Sequence, residues 1–308
     1  METRQLSHAE RLAAYTEHIR TRAVEPQTVR RHGFCLELFL DFIHRQKGVD
    51  DLGSLCATEV VDFCLAYGAD HKVDCRRHLH TTLRRFLVFA HGQQWIGQDL
   101  SAAVPVIRLY RFSRAPRPIS GAAIEALLRS LDRDSEIGCR DIAIIQLLRI
   151  YGVRGVQLRR LCLTDLDWRE DTIHFPVAKN GAKISAPLLP EAGNAILDYL
   201  RRFRAGRGRC RELFLTATDP PRPLAESSLS ASLRKCIQDA GIRLDAGVKA
   251  GTHAFRYACA TRMLQAGCTV KVVADALGHR NLNSVQIYNK LDLNSLRTVA
   301  LAWPEATP

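Results

Sequence analysis

Apolar positions recur at helical spacing through the first hundred residues. Residues 8–22 and 26–46 carry that period, the second with Phe34, Leu36, Leu38, Phe39, Phe42 and Ile43. Pro26 suits a helix start, since a first-turn residue needs no intrahelical N–H partner. A shorter helix is predicted over 57–67, near Thr58. A longer one over 72–91 turns Leu79, Leu83, Phe86, Leu87 and Phe89 inward. Its other face lines up Arg76, Arg77, His80, Arg84 and Arg85, as either a solvated surface or a phosphate-tracking one. The pattern predicts a small helical domain over 1–110.

The period changes in the second half. DIAIIQLLRIYG (141–152) reads as a buried helix closed by Gly152. TIHFPV (172–177) and KISAPL (183–188) read as two strands around a turn from Lys179 to Lys183, where Asn180-Gly181 is a hairpin signal. A helix over 190–206 runs from a proline start to a glycine stop, and RELFLTAT (211–218) begins as a third short strand. Further helices are expected over 228–241, 252–267 and 269–279, with Gly278 as the C′ residue of the last. RFSRAPRPIS (111–120) has two prolines and no apolar period, which marks a basic linker. The expected fold is mainly α with a small antiparallel β-sheet, in two domains, 1–110 and 121–308.

Charge narrows the partner. Lysine and arginine number 44 against 32 acidic residues, for a net charge of +12. Arginine clusters favour a polyanion, nucleic acid before an anionic membrane, because guanidinium binds phosphate in a bidentate way. Candidate DNA contacts are Arg76, Arg77, Arg84 and Arg85 on the helical face and Arg111, Arg114 and Arg117 in the linker. The ten cysteines include no C-x-x-C pair, which argues against zinc and against a disulfide framework. The polar start METRQLSHAERL has no signal-peptide pattern, and no apolar run nears the roughly 20 residues needed to cross a bilayer. A cytoplasmic protein without a membrane partner is expected.

The candidate chemistry lies in the second half. Arg154 follows the buried helix, Lys179 sits at the hairpin tip, His253 and Arg256 share one helix face, and His279 precedes Tyr288 by nine positions. There is no H-E-x-x-H, P-loop or G-x-G-x-x-G, so metal hydrolysis and nucleotide-dependent chemistry lack their motifs and no cofactor is expected. Arginines and imidazoles can stabilise charge building on phosphate oxygens. A tyrosine hydroxyl can attack phosphorus when a base takes its proton, and a lysine can protonate the departing alkoxide. Taken singly, each residue also has a structural reading as a helix cap, turn or core residue.

The order of these residues resembles the tyrosine recombinases, the phage-integrase family. YGVRGVQL resembles that family's T-G-x-R-x-x-E-L, HAFRYACAT resembles H-x-L-R-H-x-x-A-T, and LGHRNLNSVQIY resembles L-G-H-x-x-x-x-x-T-x-x-Y. The likeness covers the second half well, and the first half fits the family's helical (SAM-like) core-binding domain ahead of a mixed α/β catalytic domain. The resemblance implies Tyr288 as the nucleophile forming a 3′-phosphotyrosine, with Arg154 and Arg256 clamping the scissile phosphate. It implies that His253 shares the tyrosine proton, His279 bonds the phosphate, and Lys179 is the general acid, with Lys183 as its rival. Gln157 replaces the family's acidic residue and Tyr257 its second histidine. The implied partner is double-stranded DNA, bound by a homo-tetramer or by a hetero-assembly with related recombinases, with strands exchanged through a Holliday junction. An apolar tail helix over 291–303 would pack on a neighbouring protomer or fold back on its own domain. Two other outcomes stay open: a DNA-binding accessory that no longer cleaves, and a type IB topoisomerase-like relaxing enzyme.

Overall fold

The computed structural model describes residues 6–48, 52–108, 117–178, 184–206 and 210–278. The chain divides into two compact units, Met1–Arg111 and Phe112–Pro308. The first contains α1 (His8–Thr21), α2 (Pro26–Lys47), α3 (Ala57–Asp70) and α4 (Val73–Gly92). Ser7 caps α1 in a reciprocal box: the Glu10 N–H donates to its Oγ, and its own N–H donates to Glu10 Oε2 at 2.8 Å. Gly48 ends α2 at φ +67°, a left-handed conformation that costs glycine least.

The first unit is held by interlocked aromatic rings. Tyr15 meets Phe86 edge-on at 5.6 Å, and Phe39 meets Phe63 edge-on at 5.1 Å. Two expectations are corrected here. Phe34, counted in the apolar period, points outward, while His80, counted on the arginine face, is buried with Nδ1 2.8 Å from the Pro105 carbonyl oxygen. The side that α4 presents to the segment after it is therefore partly polar. Arg84 belongs to that side, with Nη2 donating to the carbonyls of Val104 at 3.0 Å and Pro105 at 2.7 Å.

The second unit contains α5 (Gly121–Ser130), α6 (Glu136–Tyr151), α7 (Gly155–Arg159), α8 (Pro190–Tyr199), α9 (Glu226–Asp239), α10 (Thr252–Gln265) and α11 (Val270–Ala276). Strands β1 (Leu166–Asp167), β2 (Thr172–Phe175) and β3 (Ile184–Pro187) form one antiparallel sheet in that order. Phe175 pairs with Ile184 and Thr172 with Pro187, so β3 runs back along β2. The mainly helical class with a small antiparallel sheet agrees with the sequence pattern.

Three local expectations change. Residues 211–218 make isolated bridges, Cys162 to Glu212 and Leu215 to Pro223, and the third strand is instead Leu166–Asp167. Pro220, Pro221 and Pro223 remove the N–H donors that a longer ladder would need. The helix from Pro190 keeps α geometry only to Tyr199 and closes with a π turn, Leu200–Arg204. α6 starts five residues before Asp141, behind the cap Ser135, because Arg140 and Asp141 are buried as a pair. Arg140 Nε donates to Asp141 Oδ1 at 2.8 Å, and its Nη atoms donate to the Leu215 carbonyl at 3.1 Å and Ser232 Oγ at 3.2 Å. Such hydrogen bonding offsets the cost of removing both charges from water.

α8 and α10 pack along α6, which is buried on nearly every side. It stops at Gly152, at φ +58°. A Cβ there would lie 2.8 Å from Leu277 Cδ2 and 2.9 Å from Cys259 Cβ, so backbone conformation and space both demand glycine.

Two stability measurements follow. Gly152→Ala should lower the unfolding free energy by about 2–4 kcal/mol, as read from denaturant midpoints, through left-handed strain and crowding. His32 lies 3.3 Å from the Tyr15 hydroxyl, and its pKa is lowered to about 4 by burial first, then by the charges of His78 and Arg85. Its folded pKa lies below the unfolded value, so its stabilisation is complete above about pH 6.5 and falls as pH drops toward 4. Melts between pH 7.5 and 4.5 should show a loss from this group of at most about 2.5 kcal/mol. His32→Gln should flatten that slope, and an unchanged slope would contradict the assignment.

Candidate active site

The site begins where α6 ends. Gly152 turns the chain, Val153 is fully buried, and Arg154 occupies the N-cap position of α7. α10 lies across this corner and satisfies carbonyls at the end of α6. Arg262 Nη2 donates to the Arg149 carbonyl at 2.6 Å, and Cys259 Sγ to the Ile150 carbonyl at 3.4 Å. Arg256 Nη1 donates to the Gly152 carbonyl at 2.8 Å. Carbonyls at a helix C-terminus carry partial negative charge, so two guanidiniums here are electrostatically matched to α6.

Arg256 also reaches a second helix end. Its Nη2 donates to the Leu277 carbonyl at 2.7 Å, just beyond α11. Arg154 Nη1 reaches the adjacent Gly278 carbonyl at 3.4 Å. Gly278 adopts φ +66°, as its expected role past the helix end requires. The two arginines thus hold one turn from two sides, and His279 is the next residue in the chain.

His253 completes the described cluster. It stands in the first turn of α10, exposed at its outer face but with part of its water replaced by protein. That desolvation first, and then the charges of Arg256 and Arg154, lower its pKa. The ring is therefore neutral at pH 7 and can accept a proton or a hydrogen bond. The Tyr257 ring lies 6.3 Å away, where the family box carries a histidine.

Gln157 supports Arg154 from behind. Its Oε1 accepts the Arg154 backbone N–H at 3.0 Å, and its Nε2 donates to the Pro176 carbonyl at 3.1 Å. Sequence reading singled it out only as a departure from the family box, and gave no signal of the second bond. Cys259 and Arg262 were also missed as partners of α6, although they follow Arg256 at three-residue steps on one helix face.

Arg154, His253 and Arg256 are therefore brought together, whereas Lys179, Lys183, His279, Tyr288 and the tail 291–303 lie outside the described residues. Among the candidate DNA contacts, Arg77 and Arg85 are exposed, Arg76 and Arg84 are half-buried, and Arg111 and Arg114 lie outside the described residues. Arg117 is exposed, and its guanidinium packs so closely over Gly247 that a Cβ there would lie 2.5 Å from Nη1. No group of three or more metal-ligating side chains occurs among the described residues. No described helix is long and apolar enough to cross a membrane.

Comparison with known proteins places this chain in a family. Residues 118–294 match the phage integrase family. The putative integrase/recombinase y4rA of Sinorhizobium fredii is 36% identical over 293 residues, which span 94% of this chain and 70% of that one. The crystal structure of XerH site-specific recombinase bound to palindromic difH substrate shares the fold, with a TM-score of 0.72 at 17% identity, over 97% of this chain and 85% of that one. A lambda integrase tetramer bound to a Holliday junction gives a TM-score of 0.68 at 13% identity, over 99% of this chain and 81% of that one. The family match begins just after Arg117 and contains every candidate catalytic residue named from the sequence. On these grounds the chain belongs to the phage integrase family, the tyrosine recombinases.

Proposed function

We propose that this chain is a site-specific recombinase that cuts and rejoins double-stranded DNA through a covalent bond to Tyr288. The observation that carries this reading is the gathering of Arg154, Arg256 and a neutral His253 at one corner of the second unit. Tyr288 Oη attacks the scissile phosphorus, the bond to the 5′ oxygen breaks, and a 3′-phosphotyrosine forms. The tyrosine proton passes to His253, whose lowered pKa favours the neutral ring with one nitrogen free to accept it. Arg154 and Arg256 stabilise the charge on the non-bridging oxygens, and His279 adds a hydrogen bond. Lys179, or its rival Lys183, protonates the departing 5′ oxygen. Attack by a 5′-hydroxyl from another strand reverses these steps, so the bond energy is kept and no nucleotide is spent.

The wider assembly belongs to the same proposal. Residues 1–110 act as a core-binding clamp and 121–308 as the catalytic domain, with the linker 111–120 crossing the DNA backbone. Exposed Arg77 and Arg85 are the α4 arginines best available to phosphate, since Arg84 is engaged with backbone carbonyls. Four copies act on two DNA sites through a Holliday junction, an arrangement supported by the fold shared with the lambda integrase tetramer bound to such a junction.

Incubation with a nicked DNA site should yield a covalent protein–DNA band, and Tyr288→Phe should abolish it while binding stays within about threefold. A band that survives in Tyr288→Phe would overturn the assignment. Relaxation of supercoiled DNA without exchange between two sites would favour the topoisomerase-like outcome, and a salt-sensitive shift alone would favour an accessory role. Because its lowered pKa keeps His253 unprotonated, cleavage should hold through pH 7 and decline only below pH 6.5. His253→Gln should remove that acid limb from the single-turnover profile.

A further inference from the structure

Tyr151 is the last residue of α6, and it stands where the family box carries threonine. Its hydroxyl makes two hydrogen bonds of opposite sense. It donates to the Pro187 carbonyl at 2.7 Å and accepts the Leu189 backbone N–H at 3.0 Å. Pro187 ends β3, the outer strand of the sheet, and Leu189 is the N-cap of α8. The Tyr151 ring lies 5.2 Å from that of Phe175, the buried last residue of β2. One side chain thus touches the end of β2 and the end of β3 at once, from the helix end that leads into Arg154. The segment joining the two strands contains Lys179 and Lys183, the two candidate acids. We propose that Tyr151 is a positioning residue that fixes the β2–β3 pair to the end of α6 and so sets the acid lysine against the leaving 5′ oxygen.

A threonine could not do this. Its hydroxyl sits on Cβ and, in the last turn of a helix, bonds a carbonyl of its own helix. The tyrosine hydroxyl stands at the far end of a rigid ring, with one proton to give and lone pairs to accept with, and both are used here. The strands carry the constraint onward. Their pairing runs from Thr172 with Pro187 to Phe175 with Ile184, so holding Pro187 and Phe175 holds both ends of it. Lys183 immediately precedes Ile184 in the chain. Proton transfer needs the acid within hydrogen-bond reach of the leaving oxygen, and a displacement of about 1 Å can cost a hundredfold in rate.

The inference rests on the cleavage reading above, and on its lysine acid, so the test varies the leaving group. Full-length wild type, Tyr151→Phe, Lys179→Ala and Lys183→Ala cleave saturating nicked DNA in single turnovers, with oxygen or sulfur at the bridging 5′ position. A thiolate departs without a proton, so sulfur relieves the loss of an acid but not the loss of a phosphate clamp. Tyr151→Phe keeps the ring on Phe175, and water can meet Pro187 and Leu189 singly, so the fold stands while the tie is cut. This variant should cleave the oxygen substrate about tenfold or more slowly, with DNA binding within about threefold of wild type. On the sulfur substrate it should come within about threefold of wild type. An equal loss on both substrates, or no loss on either, would overturn the proposal. Absence of any covalent band from wild type, or of sulfur rescue in both lysine variants, would sink the cleavage reading instead. In that case hydrogen exchange at the Leu189 amide decides alone: Tyr151→Phe should speed it about tenfold, and unchanged exchange would overturn the tie.

Discussion

A helix end buried in protein must find donors for its last carbonyls, and in this chain that requirement organises the site. α6 runs through the middle of the second unit and cannot turn to water when it stops. The donors come from α10: Arg262, Cys259 and Arg256 serve the carbonyls of Arg149, Ile150 and Gly152. Arg256 is 2% exposed, so its charge must be compensated where it lies. The carbonyls at the ends of α6 and α11 do this, at 2.8 and 2.7 Å. A planar fork can meet both at once, which an ammonium on a single stem could not do with the same geometry.

One interaction therefore serves folding and chemistry together. By joining two helix ends, Arg256 fixes the turn before His279, and its position fixes His253 one helical turn earlier on the same face. Arg154 approaches the same turn from α7, held by Gln157. Desolvation first, and then the two guanidiniums beside it, lower the His253 pKa and so favour its neutral form. An anion entering this corner would find cationic groups already oriented, so little reorganisation would be needed as charge developed on it.

Much of this was legible in the chain itself. The helical period located the elements of the first unit to within a few residues, and Gly152 and Gly278 marked two helix ends that do take left-handed conformations. The spacing of His253 and Arg256 placed both on one face because a helix fixes that geometry locally. What could not be read depended on distant partners. Asp141 looked like a helix start, and only contact with Arg140 and Ser232 explains why the helix begins earlier. His80 shares a period with exposed arginines, yet the Pro105 carbonyl draws it inward. The strand expected at 211–218 had the right composition, but the prolines after it limit pairing to isolated bridges. Gln157 stood out only as a departure from the family box, because its second partner lies nineteen residues further along the chain.

The central claim is that this cationic corner holds a phosphate whose charge it must offset, and charge removal at the phosphate tests it most directly. Single-turnover cleavage is measured for wild type and Arg154→Ala, on a nicked site with either an ordinary phosphate or a neutral methylphosphonate at the scissile position. The account predicts that Arg154→Ala slows cleavage of the ordinary phosphate by about a hundredfold or more. It predicts that the neutral substitution restores most of that loss, because the missing guanidinium no longer has a charge to balance. An equal loss on both substrates would contradict the account and leave Arg154 with a purely structural role.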